Sequence, residues 1–143
     1  MSNIEIIIVE DEAITAIDIQ EYLQKLGYSV LAIAHSGEEA ILQVKKKKPH
    51  LILMDIVLEG SMDGTQAAKK IWDDYKIPII FITAYSDEET FSRAKLSFPY
   101  AYLIKPFETR DLRIAIELAL FKFEMDMKLA SWGPVGSTEG KPV

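Results

Sequence analysis

The sequence predicts an α/β domain built on a parallel sheet. Short runs of aliphatic and β-branched residues alternate with longer amphipathic stretches along the 143 residues, the pattern of successive strand–helix units. Two of the runs, Ile6-Ile7-Ile8-Val9 and Leu51-Ile52-Leu53-Met54, are apolar at every position. A strand reads that way when helices cover both its faces, which puts these two in the middle of the sheet. Four runs end at chemically active residues, and parallel strands bring their carboxyl ends to one edge.

The first strand spans roughly 4–9. The first helix, roughly 12–26, is stopped at Leu26-Gly27-Tyr28 by a glycine just past its end. A second strand, roughly 28–34, leads to a helix at roughly 37–47, with Ser36 as N-cap and Glu39 as its capping-box partner. Lys45-Lys46-Lys47-Lys48 end that helix where its dipole favours cations, as a solvated end or, alternatively, a docking patch. Pro49 and Pro78 precede the third and fourth strands, roughly 50–54 and 78–82, where a missing N–H does least harm. Asp63 suits the N-cap of the third helix, roughly 64–75, and Gly64 suits a tight turn.

The fourth helix, roughly 87–96, has only Phe91 and Leu96 as large apolar residues and should be the least firmly packed element. A fifth strand, roughly 100–104, precedes a helix at roughly 108–129 with two apolar stripes. Leu112, Ile116, Ala119, Phe123 and Met127 form one; Ile114, Leu118, Phe121 and Met125 form the other. A surface helix needs one stripe for its own core. The second is either a wider core contact or a docking face for a partner or an identical subunit. Residues 1–129 thus read as one domain. Residues 130–143, rich in Gly, Pro and Ser, read as a flexible tail or the stub of a linker.

Composition excludes several functions. A net charge of −6 argues against nonspecific nucleic-acid binding, which needs a basic surface. The absence of cysteine excludes disulfides, thiol nucleophiles and zinc–thiolate sites. No segment approaches the length of a membrane span, and Met1-Ser2-Asn3-Ile4-Glu5 lacks the basic start and apolar core of a signal peptide. A cytoplasmic protein with no membrane or direct nucleic-acid partner is expected.

The strand ends supply the chemistry. The first strand runs into Glu10-Asp11, the third into Asp55, the fourth into Thr83 and the fifth into Lys105-Pro106. Three crowded carboxylates are costly unless a cation neutralises them. Mg2+, with Mn2+ as a substitute, takes oxygen ligands and keeps several waters. Asp11 and Asp55 are the expected direct ligands, the Val57 backbone carbonyl a third, and Glu10 acts through water. Taken alone, Glu10-Asp11-Glu12 reads equally well as an acidic helix N-terminus.

Asp55 can attack phosphorus and become an acyl phosphate. Positioning and neutralising the transferred oxygens then falls to the metal, the Lys105 ammonium, and the Thr83 hydroxyl with the Ala84 amide. A cis Lys105-Pro106 bond would aim the lysine inward. Val57 stands two residues after Asp55, where hydrolytic phosphatases with an aspartyl nucleophile place a second acid, so a phosphoryl group on Asp55 should persist. His35 and His50 read as surface or loop residues with no catalytic pair.

The motifs Ile7-Ile8-Val9-Glu10-Asp11-Glu12, Leu53-Met54-Asp55-Ile56, Met62-Asp63-Gly64, Ile82-Thr83-Ala84 and Tyr102-Leu103-Ile104-Lys105-Pro106-Phe107 together closely resemble the receiver domain of two-component response regulators. The resemblance covers about residues 4–127. It implies a flavodoxin-like, doubly wound (βα)5 fold with strand order 2-1-3-4-5. It further implies that Asp55 takes a phosphoryl group from a histidine kinase or phosphotransfer protein, a non-enzymatic signalling role. In such domains the residues matching Thr83 and Tyr102 form a switch. The face of the fourth helix, fifth strand and fifth helix then changes its partner affinity or pairs two copies.

The chain departs from the family pattern at Glu10, where aspartate is usual, and in Val57-Leu58-Glu59-Gly60-Ser61, one residue longer and without the usual proline. Val57 and Tyr85 stand where receivers tune water access, which predicts slow self-dephosphorylation. The competing readings are a magnesium-dependent aspartyl-phosphate phosphatase, which Val57 disfavours, a non-phosphorylated interaction module, and a flavodoxin-like binder.

Overall fold

The computed structural model describes residues 3–84, 88–97 and 99–136, the last five by backbone alone. Five strands and five helices alternate: β1 (Glu5–Val9), α1 (Ala13–Lys25), β2 (Ser29–Ala34), α2 (Gly37–Lys47), β3 (Leu51–Asp55), α3 (Gly64–Tyr75), β4 (Ile79–Thr83), α4 (Glu88–Leu96), β5 (Ala101–Ile104) and α5 (Thr109–Gly136). All strand pairs are parallel, in the order β2-β1-β3-β4-β5.

The two-residue period of a strand sorts the core into two layers. Ile7, Val9, Ile52, Met54 and Phe81 point to one face, against Ala40 and Val44 of α2 and Ala67, Ala68 and Ile71 of α3. Ile6, Ile8, Leu51, Leu53, Ile80 and Ile82 point to the other, against Ala16, Ile19 and Leu23 of α1 and Leu112, Ile116 and Ala119 of α5. β3 and β4 are buried throughout, whereas β2 and β5 at the sheet's edges are mostly half-buried. The apolar runs of β1 and β3 lie side by side in the middle, as their sequence predicts.

The predicted boundary signals operate. Gly27 adopts φ 93°, and its N–H and that of Tyr28 donate to the carbonyls of Gln24 and Leu23, the paired bonds of a Schellman cap. Ser36 accepts from the Glu39 N–H at 3.1 Å. The box is not reciprocal as expected: the Glu39 carboxylate takes the His35 N–H, one residue earlier. Asp63 and Gln66 form the complete box at α3.

The packing of α4 is slight, as expected, the open choice for the second stripe of α5 is decided, and the end of α5 needs correction. Phe91 and Leu96, the large apolar residues of α4, lie largely exposed, and the helix buries Thr90 and Ala94 instead. The second stripe of α5 is not core: Ile114, Leu118, Phe121 and Met125 are each at least 41% exposed. The helix also continues through Gly136, seven residues past its expected end at 129. Lys128, Leu129 and Ala130 are good helix formers, so nothing at the expected boundary stops it. The remainder of the expected tail, 137–143, and Tyr85 lie outside the described residues.

Candidate functional site

The parallel register sets the site. Met54 pairs with Val9, Asp55 with Ile82, and Thr83 with Ile104, so the chemical residues emerge from neighbouring strands at one edge. The Lys105 N–H donates to the Thr83 carbonyl at 2.8 Å, which ties the ends of β4 and β5 together. The Lys105-Pro106 bond is cis. The Lys105 ammonium lies between two carboxylates, 2.7 Å from Glu10 Oε1 and 2.9 Å from Asp55 Oδ2.

Each acid has a different setting. Glu10 is fully buried, and its second oxygen accepts the Glu12 N–H at 3.2 Å. Burial pushes its pKa up to about 7; the Lys105 hydrogen bond opposes that shift and the Asp55 charge adds to it. Asp55 is 6% exposed, and its Oδ1 accepts the Val57 N–H at 3.1 Å. Asp11 is half-buried. Burial disfavours the Lys105 cation, but the hydrogen bonds and charges of Glu10 and Asp55 outweigh it and raise its pKa.

These groups line a cleft of ≈ 340 Å³ together with Glu12, Val57, Glu59 and Ala84. Ligand oxygens of Glu10, Asp11 and Asp55 all lie within 4.8 Å of one another, a spacing that one small cation can bridge. Both Glu10 oxygens already accept protein hydrogen bonds, which suits a ligand acting through water rather than directly.

The described site residues predicted from sequence fall at this edge in two tiers, except Tyr102, which pairs with Phe81 inside the sheet. Asp11, Asp55, Val57, Ala84 and Lys105 line the cleft beside Glu10, while Thr83, at the end of β4, is fully buried. Tyr102 sits on β5, its ring edge-on to Phe91 with centroids 5.4 Å apart. Glu59 was missed. A backbone bridge between Glu59 and Ser36, and a Ser61 hydroxyl bond to Glu38, pin the extra-long loop to the start of α2. The added loop residue was the only sequence signal. His35 also sits closer to the site than expected, its Nδ1 3.1 Å from the Glu10 carbonyl.

A doubly wound sheet with an aspartate, flanking acids and a lysine at its carboxyl edge defines a receiver. The chain matches the response regulator receiver domain family over residues 6–117 and belongs to it. It is 38% identical over 118 residues to the transcriptional regulatory protein PdtaR of Mycobacterium tuberculosis, across 82% of this chain and 57% of PdtaR. It is 35% identical to the phyllosphere-induced regulator PhyR of Methylorubrum extorquens, across 82% of this chain and 43% of PhyR. The chain thus spans about half the length of these relatives.

Among solved structures, the signal receiver domain of a modulated diguanylate cyclase from Desulfovibrio desulfuricans G20 superposes with a TM-score of 0.83 at 38% identity, covering 87% of this chain and 99% of that one. The N-terminal domain of a response regulator/sensory box/GGDEF protein from Carboxydothermus hydrogenoformans gives 0.79 at 35% identity, covering 86% and 98%.

Proposed function

We propose that this receiver is phosphorylated on Asp55 by a histidine kinase or a phosphotransfer protein, in a Mg2+-dependent reaction. One observation carries the reading: a nearly buried nucleophilic carboxylate, 2.9 Å from a lysine ammonium, opens into a cleft lined by four further acids, Glu10, Asp11, Glu12 and Glu59. Asp11 and Asp55, with the Val57 carbonyl and Glu10 through water, would hold the Mg2+ or a substituting Mn2+. Bound there, the ion supplies positive charge to the acids and to a phosphoryl oxygen.

The chain's own residues do the rest. An Asp55 oxygen forms the new bond to phosphorus as the bond to the donor imidazole nitrogen breaks, and that nitrogen keeps the electron pair. Lys105, already at hydrogen-bond distance from Asp55, neutralises a second phosphoryl oxygen. The Ala84 amide and the Thr83 hydroxyl serve the third. For Thr83 this requires its buried hydroxyl to turn toward the cleft, and Tyr102, one strand away, follows it inward. The ligand can shift that equilibrium only by its unequal contacts with the two states. The output is a changed affinity at the face of α4, β5 and α5.

Among the described residues no helix is long and apolar enough to cross a membrane. We place the protein in the cytoplasm as a signalling module without turnover of its own.

Intact mass after incubation with acetyl phosphate and Mg2+ tests the proposal. It should rise by one phosphoryl group in the parent protein, and not in Asp55→Ala or without metal. A folded parent that takes up neither phosphoryl nor beryllofluoride would mark an interaction module that does not use the site.

A further inference from the structure

The edge of the sheet opposite the acidic cleft is basic. Strands that carry the acids at their carboxyl ends bring the C-termini of α1, α2 and α3 to the amino edge. Those termini supply Lys25, Lys45, Lys46, Lys47, Lys48 and Lys76, all exposed. None of the six forms an ion pair among the described residues. Asp73 and Asp74, near the end of α3, are each engaged at 3.3 Å, by Lys69 and Lys70. A chain of net charge −6 thus gathers positive charge at one edge and negative charge at the other.

The helix dipole favours cations at such ends but does not explain the backbone. α2 and α3 both end on a lysine in the left-handed conformation, Lys48 at φ 47° and Lys76 at φ 55°. Among the described residues these are the two non-glycine residues with positive φ. Glycine takes that conformation without strain, and the end of α1 uses Gly27 for it. Two separate helices therefore accept strain where they place a cation.

An apolar cavity of ≈ 230 Å³ opens at the same edge, walled by Ile4, Ile77, Pro78, Leu120 and Phe123. Lys76 and His50 also line it, as does Pro49, the neighbour of Lys48. The Glu5 N–H donates to His50 Nδ1 at 2.9 Å, so the neutral ring carries its proton on Nε2, where it can donate to a ligand. The cavity is smaller than the about 300–1,000 Å³ of a small-molecule site, but it has room for one aliphatic or aromatic side chain. The cations run on from it into the last turn of α2. Such a surface fits an extended chain with several carboxylates around one apolar anchor, rather than a single small anion.

We propose that the amino edge docks an acidic peptide segment of a partner protein. Its apolar side chain fills the cavity, and its carboxylates pair with Lys48, Lys76 and the lysines of the last turn of α2. The site lies at the opposite end of β3 from Asp55 and does not rest on the phosphoryl chemistry, so either reading can fail alone.

Fluorescence anisotropy of the labelled peptide Glu-Glu-Leu-Glu-Glu, titrated with the whole 143-residue chain, tests this. Binding should saturate and weaken with added salt. Serine in place of the peptide's leucine should weaken it about tenfold, because the anchor is lost. Lys48→Gly and Lys76→Gly should each weaken binding several-fold. Both should keep or raise the thermal midpoint, because glycine relieves the left-handed backbone. A peptide that does not bind, or one indifferent to its leucine, would overturn the proposal. So would glycine variants that lower the midpoint and keep full peptide affinity, which would mark the lysines as helix caps. Tighter lysine-dependent binding of poly(U) RNA or phosphatidylglycerol vesicles than of the peptide would also overturn it, making the edge a general polyanion surface.

Discussion

Glu10 carries the sharpest consequence at the scale of single residues. Its pKa of about 7 in the fold, against 4.5 as an ordinary glutamate, means the folded protein holds a proton that the unfolded chain has released between those values. Its stabilising effect is therefore complete below pH 4.5 and is lost as pH rises through 7. Chemical denaturation of the metal-free protein should show stability falling across that window by up to about 1.4 kcal/mol per pH unit. Glu10→Gln should flatten the profile, and an unchanged slope in that variant would refute the assignment. Val57 makes a kinetic prediction. Its side chain is 40% exposed at the rim of the cleft and offers no group that can activate water. Phosphorylated protein freed of acetyl phosphate should lose its phosphoryl group over minutes to hours by intact mass, and Val57→Glu should shorten that time several-fold. A parent lifetime of seconds would sink the reading.

At the scale of elements, the junction between β3 and α3 depends on Gly64 for a reason other than the turn its sequence suggested. A Cβ there would overlap the Asp55 carbonyl oxygen and lie 2.8 Å from Ile56 Cα, both of them backbone. Backbone cannot rotate away as a side chain can, so Gly64→Ala should cost about 2–4 kcal/mol, read as a lower thermal midpoint. α4 is held differently. With Phe91 and Leu96 outside and Thr90 and Ala94 inside, its burial is slight, and Arg93 reaches across to the Asp63 carboxylate at 2.7 Å. Arg93→Ala should speed amide exchange in α4 by several-fold and leave β1 and β3 unchanged; uniform exchange across α4 and the core would show that the ion pair tethers nothing. The same elements show what a sequence displays. The apolar runs of β1 and β3, and the Gly27 and Asp63 caps, were legible because each obeys a local rule. So were the strand-end residues, since parallel register gathers them at one edge. The Arg93–Asp63 tether, the Ser36–Glu59 bridge and the exposure of Phe91 were not. Each pairs residues more than twenty positions apart or depends on which way a weakly amphipathic helix rolls. The extra helical turns of α5 escaped because Gly, Pro and Ser composition suggested a boundary that the backbone does not observe.

For the molecule as a whole, the two core layers stabilise the fold and the site works against it. The sheet and its four best-packed helices bury wholly apolar surface on both faces, while the carboxyl edge gathers three carboxylates around one ammonium. Repulsion not offset by Lys105 is carried by the folded state alone, because the unfolded chain separates the acids. Neutralising one acid should therefore have opposite effects with and without metal. Asp11→Asn should raise the unfolding midpoint of the metal-free protein by a few degrees. Mg2+ should raise the parent's midpoint, since a ligand of the native state at about a hundred times its Kd adds about 2.7 kcal/mol. It should raise that of Asp11→Asn little, so the two proteins exchange rank as Mg2+ is added. Differential scanning calorimetry at pH 8, where Glu10 is ionised, measures both midpoints. A variant less stable than the parent without metal would show that Asp11 is a structural partner rather than a held-back charge. A variant that keeps the full Mg2+ shift would remove Asp11 from the ion's ligands. Exchange of rank would establish that this fold keeps a strained acidic edge for the cation that relieves it.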